Sequence, residues 1–169
     1  VVQVSKDPIG TKGARLTSYI SLAGRHLVLL PYVNHIGISR RIKDKDERER
    51  LRNIIEEIRP EKTGFIIRTA SEGVEREKIK SEMDFMLKLW ADILKRMNIS
   101  ANPELLYPDL SVSLKSVRDL FTKEVDRLII DSKDEYKRII DFIDNFAPAL
   151  RYSVEFYDGD EPIFDAYGI

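Results

Sequence analysis

Two adjacent residues are placed to do chemistry. Arg68 and Thr69 end an otherwise apolar run, Gly64-Phe65-Ile66-Ile67, and open onto Ala70-Ser71-Glu72-Gly73. A strand end fixes the side chains that project from it. A guanidinium makes bidentate, charge-assisted hydrogen bonds to phosphate, and a threonine hydroxyl adds a neutral one. A charged hydrogen bond contributes roughly 1.5–3 kcal/mol, so two or three favour a terminal phosphate over a bare hydroxyl. By residue type alone, an Arg-Thr pair fits a surface ion pair equally well. Gly24 adds backbone N–H groups that an anion can approach closely, because no side chain blocks them.

Other chemistries lack their parts. His26 and His35 are too few and too isolated for a His-rich metal site, and His26 reads as a solvent-facing position in an alternating β segment. Asp158, Asp160 and Glu161 surround Gly159 as ordinary turn chemistry and lack the spacing of a calcium loop. With no cysteine there is no disulfide, thiolate zinc site or thiol nucleophile. Phosphate-binding Walker loops, nucleophile elbows and dinucleotide fingerprints are likewise missing. No catalytic constellation, metal site or cofactor is expected within these residues.

The elements that must position Arg68 and Thr69 follow from periodicity. Val2 and Val4 alternate with polar neighbours, a Pro/Gly loop covers residues 6–13, and β-rich segments span Arg15 to Leu22 and His26 to Leu30, parted by Ala23-Gly24. Gly37 to Ile42 reads as extended. Leu51, Ile54, Ile55 and Ile58 lie on one face of a helix from Asp46 to Ile58, which Pro60 ends. A long helix is expected from Glu75 to Met97. Its wide apolar stripe comprises Ile79, Met83, Met86, Leu87, Trp90, Ile93, Leu94 and Met97, so Trp90 and the methionines read as core. Beyond residue 107 come a helix over Ser111–Thr122, a strand over Arg127–Asp131, a helix over Lys133–Asn145, and a β segment over Tyr152–Tyr157 before the Asp158-Gly159-Asp160 turn. This β-α-β alternation suggests part of an α/β layer.

Charge is distributed unevenly along the 169 residues. The net charge is −1, yet residues 1–45 hold eight basic residues against Asp7 and Asp44, a net +6. Such a basic end points to a local anion site rather than a uniformly sticky surface. No apolar run approaches the roughly 20 residues of a membrane helix, and residues 1–6 have no secretory character. The chain starts at Val1 without an initiator methionine, as a piece of a longer protein would. A cytoplasmic location is expected.

Four blocks carry a resemblance. They are Thr11-Lys12-Gly13-Ala14-Arg15-Leu16-Thr17, then Ile20 to Pro31 around Leu22-Ala23-Gly24, then Gly37-Ile38-Ser39-Arg40-Arg41-Ile42, then Gly64-Phe65-Ile66-Ile67-Arg68-Thr69-Ala70. In order and spacing these resemble the ribonuclease E/G family, and Pro162-Ile163-Phe164 matches as well. The resemblance implies an α+β chain. Residues 1–18 would be the C-terminal end of an S1 (OB) domain. Residues 19–107 would be a 5′-sensor domain, a small mixed sheet with two amphipathic helices. Residues 108–169 would be part of an RNase H-like α/β subdomain. It further implies that Arg68, Thr69, Gly24 and Val28 hold a 5′-monophosphate in a closed pocket, with Val28 acting through its backbone amide. Lys12, Arg40 and Arg41 would lie along single-stranded RNA; Arg15 departs from the alanine of some relatives and is assigned no role. The parent would be an endoribonuclease and a homo-oligomer whose Mg²⁺ aspartates and zinc cysteines lie outside these residues. The other reading is a non-catalytic single-stranded RNA-binding protein of the same architecture.

Overall fold

Residues 45–58 carry an apolar stripe one turn apart behind an acidic start, and they form helix α1 (Lys45–Ile58). Asp44 caps it: Oδ1 accepts from the Asp46 and Glu47 amides at 2.8 and 3.1 Å. This satisfies two of the four N–H groups that a helix start leaves open. Helix α2 (Arg76–Ile99) is the long stripe. Both helices are seen in a computed structural model that describes residues 1–100, 103–122 and 124–169, with 145 and 146 described by backbone alone. The chain divides into two units, Val1–Pro108 and Asp109–Ile169.

In the first unit, β1 (Gln3–Lys6) and β2 (Arg15–Thr17) form an antiparallel hairpin. The Gln3 amide exchanges two 2.9 Å hydrogen bonds with the Ser21 backbone and ties the hairpin to the start of the next strand. Strands β3 (Leu22–Ala23), β4 (Leu27–Leu30), β5 (Ile36–Ile38) and β6 (Gly64–Ile67) form a mixed sheet in the order β3-β4-β6-β5. The β5–β6 pair is parallel and the others are antiparallel. Helix α1 is the crossover that parallel neighbours require.

Alternation decides the faces of this sheet. Leu27, Leu29, Phe65 and Ile67 are fully buried. They share one core cluster with Leu51, Ile54 and Ile55 of α1 and with Ile79, Met83, Met86 and Ile93 of α2. The two helices therefore cover one face. Val28 and its cross-strand partner Ile66 point to the other, and Ile66 is 36% exposed. Trp90 packs against the core edge and meets Tyr32 edge-on at 5.4 Å. Met97 departs from the expected stripe: at 38% exposed it lies beyond Ile93, the last α2 residue of the buried core cluster.

The second unit holds α3 (Val112–Leu120), β7 (Leu128–Ile130), α4 (Lys133–Phe146), β8 (Val154–Phe156) and the short α5 (Ile163–Ala166). Strands β7 and β8 pair in parallel, so β7-α4-β8 is a β-α-β crossover. Its core is Val117, Phe121, Ile130, Ile139, Ile143 and Val154. Ser111 and Ser132 cap α3 and α4. The whole is an α+β chain with several small sheets.

Candidate phosphate-binding site

Arg68 follows β6 directly and Thr69 starts a single 3-10 turn, Thr69–Ser71. Neighbouring parallel strands end together, so Ser39, which follows β5, lies beside them. The Ser39 amide donates to Ile67 O (2.8 Å), and the Ser39 and Thr69 hydroxyls meet at 2.9 Å. From the other side of β6 comes the turn Gly24–Leu27 that joins β3 to β4. Its Gly24 carbonyl accepts a hydrogen bond from Arg68 Nη1, and its His26 carbonyl accepts from the Arg68 amide (2.8 Å) and the buried Ser71 hydroxyl (2.7 Å). One cation, two hydroxyls and one tight turn thus converge at one end of the sheet. Thr69 is exposed and Arg68 half-buried, so the groups form an open shelf.

The turn is held by a residue that sequence reasoning missed. Glu82 of α2 reaches into it: Oε1 accepts from the amides of His26 (2.9 Å) and Leu27 (3.2 Å), and Oε2 accepts from His26 Nδ1 (2.5 Å). With a carboxylate as acceptor, Nδ1 is the donor in that last contact. His26 is 4% exposed and Glu82 9%. The solvent-facing position expected for His26 is therefore wrong. His26 lies in the turn before β4, where strand alternation does not apply, and the carboxylate satisfies its ring.

Gly24 is needed for a different reason than expected. A Cβ there would stand 2.1 Å from Glu82 Oε1 and 3.3 Å from Leu27 O. Its N–H already donates to Leu27 O at 2.8 Å. What Gly24 turns toward the shelf is its carbonyl, which orients Arg68. The amide role expected for Val28 is also closed. His26 and Arg68 are a hydrogen-bonded pair, and such pairs alternate along an antiparallel ladder. Val28 and Ile66, two residues on, are bonded again, with the Val28 amide inside the sheet. Val28 offers its side chain on the open face.

The remaining predicted residues are distributed as follows. Arg40 and Arg41 are exposed in the turn after Ser39. Arg48 Nη1 braces that turn by donating to Ser39 O (2.7 Å) and Ile42 O (3.0 Å). An open depression of about 390 Å³ beside it is lined by Ile38, Arg48, Glu49, Arg52 and Asn53. Lys12 is exposed in the β1–β2 connection, where it pairs with Ile9, and is not among the groups that meet at Arg68. On α1, Glu47 accepts from the Gly73 amide (2.8 Å) and from Arg50. These bonds, that of Arg50 foremost, hold its carboxyl below the usual range. They brace the loop into α2, where Gly73 adopts a φ of +70° that side chains disfavour.

The model of the ribonuclease E/G family matches residues 21–169. The chain belongs to the ribonuclease E/G family. It is 38% identical over 169 residues to ribonuclease G of Escherichia coli (strain K12), covering all of this chain and 35% of that protein. Ribonuclease G of Haemophilus influenzae is 40% identical over 169 residues, all of this chain and 34% of that protein. Ribonuclease E of Nostoc sp. is 37% identical over 147 residues, 87% of this chain and 21% of that protein. The chain spans about a third of the length of the ribonuclease G relatives it matches. Among the described residues of this ribonuclease E/G chain, no group of three or more His, Asp or Glu side chains could hold a metal ion. Among them, too, no helix is long and apolar enough to cross a membrane.

Proposed function

We propose that this chain is the 5′-end-sensing part of a single-strand-specific endoribonuclease of RNA processing and decay, and that the Arg68 shelf binds the 5′-monophosphate of RNA. The observation that carries this reading is the convergence of Arg68, oriented by the Gly24 carbonyl, with the Ser39–Thr69 hydroxyl pair. A terminal phosphate on the shelf accepts from the guanidinium on one side and a hydroxyl on the other. Val28 and Ile66 supply an apolar surface on the adjoining open face, against which the first nucleotide packs. Arg40 and Arg41, one and two residues beyond Ser39, neutralise the phosphates that follow, and Lys12 attracts RNA from the hairpin.

Under this reading residues 1–18 end an S1 domain, residues 19–107 are the sensor and residues 108–169 are part of an RNase H-like subdomain. The cut itself is made elsewhere in the protein, on Mg²⁺ held by aspartates outside this chain. Zinc held by cysteines and a homo-oligomeric assembly likewise belong to the rest of a cytoplasmic enzyme. The side chains described here do not fit either metal, and this chain by itself cleaves no RNA. The test is a pair of binding curves with one single-stranded RNA carrying either a 5′-monophosphate or a 5′-hydroxyl. Tighter binding of the phosphorylated form is expected. Equal affinity would leave a general RNA-binding module of the same architecture.

A further inference from the structure

Glu82 has no place in the phosphate contacts, yet its surroundings are built around it. It sits between Ile79 and Met86 on the buried face of α2, where a carboxylate is costly unless fully hydrogen-bonded. Three donors from residues 26 and 27 meet it. The space it fills is kept open by the absence of a Cβ at Gly24. The same turn presents the carbonyl that receives Arg68 Nη1. A continuous set of bonds therefore runs from α2 through the turn to the guanidinium: Glu82 to the His26 and Leu27 amides, then Gly24 O to Arg68.

We propose that Glu82 is a positioning residue for 5′-phosphate recognition. Its carboxylate acts as an internal anion that shapes the Gly24–Leu27 turn, so that the Gly24 carbonyl aims Arg68 at the RNA end. This rests on the sensor reading above and adds to it a residue that touches no RNA. The orientation of a binding group set in advance saves the cost of ordering it on contact. Loss of Glu82 therefore acts on phosphate discrimination and not on the general attraction for RNA.

The experiment uses the full chain and two single-stranded RNAs that differ only in a 5′-phosphate or 5′-hydroxyl. Glu82→Gln keeps the volume and one accepting oxygen but removes the second acceptor. Glu82→Ala empties the space. In both, the ratio of affinities for the two RNAs is expected to fall by roughly tenfold, the equivalent of one misplaced charge-assisted hydrogen bond, while binding of the 5′-hydroxyl RNA is unchanged. Formate in the millimolar range, small enough for the vacated site, restores the ratio in Glu82→Ala but not in Glu82→Gln. Gly24→Ala lowers the ratio in the wild-type background and has little further effect beside Glu82→Ala, because the clash is gone. If the wild type favours the phosphorylated RNA and both Glu82 variants keep that preference, the inference is overturned and the sensor reading stands. A loss equal on the two RNAs would show a purely structural role and also overturns it. A wild type without preference overturns the sensor reading itself. Should Glu82→Ala fail to fold, Glu82→Gln and Gly24→Ala decide the matter on the same readout.

Discussion

Arg68→Ala is the perturbation that tests the shelf most directly. Arg68 is half-buried, with one guanidinium nitrogen committed to the Gly24 carbonyl. That bond sets the plane of the fork, so the contacts to a phosphate are oriented ones. A charge-assisted contact of this kind contributes about 2 kcal/mol, so the affinity for 5′-monophosphorylated RNA should fall by about 30-fold. For 5′-hydroxyl RNA the same substitution removes only a diffuse positive charge, and the loss should stay within about twofold at physiological salt. Arg68→Lys separates fork from charge. It keeps the cation but loses the planar pair of donors, and should recover less than half of the lost free energy. The assay is fluorescence anisotropy with both RNA ends at several salt concentrations, checked by thermal unfolding of each variant. Equal losses on the two RNAs would refute the reasoning, as would full recovery by lysine, since either result makes Arg68 an ordinary backbone contact.

The hydroxyl pair gives a second test: Ser39→Ala and Thr69→Val should each cost about 1 kcal/mol on phosphorylated RNA, with the double variant losing less than the sum because the two hydroxyls are 2.9 Å apart. Glu47→Gln removes a carboxylate whose folded pKa is lowered by Arg50 and Gly73. Its stabilisation is complete above the ordinary carboxylate range and is lost as pH falls through the lowered value. Urea unfolding should show wild type ahead by about 0.5 kcal/mol at neutral pH and the gap closing at acid pH; a gap constant with pH would exclude the charge as its source. Asp44→Ala removes the α1 cap and should destabilise the chain by about 1 kcal/mol, read as a lower unfolding midpoint.

The elements around the shelf were legible where one periodicity ruled. Leu51, Ile54 and Ile55 announce α1, and Ile79, Met83, Met86 and Ile93 announce α2, because each set repeats at helical spacing against a single core. Arg68 and Thr69 were legible as a polar end to an apolar strand. His26 was misread because strand alternation was extended one residue into a turn, where the carboxylate of a distant helix settles the direction of the ring. Glu82 left a signal that could have been used. It stands three residues after Ile79 and four before Met86, a charge on an apolar face, and such a charge must have partners. Which partners it has depends on the docking of α2 over β4, and no local pattern encodes that. Ser39 was hidden for a similar reason: its nearness to Thr69 follows from the parallel pairing of β5 with β6, set by the core rather than by residues 37–42.

The bonds that hold the Gly24–Leu27 turn and its surroundings reach far along the chain. They link residues 44, 45 and 56 positions apart. Contacts of such separation form late, after the intervening loop has been closed. During synthesis, the β3–β4 hairpin leaves the ribosome with its His26 and Leu27 amides open to water and its Gly24 carbonyl unmatched. Only when residue 82 and the helix around it have emerged and docked does the turn acquire its counter-charge. Under the proposal above, a chain that ends before residue 82 lacks the carboxylate that accepts from the His26 and Leu27 amides, and with it the bonds that set the direction of Arg68.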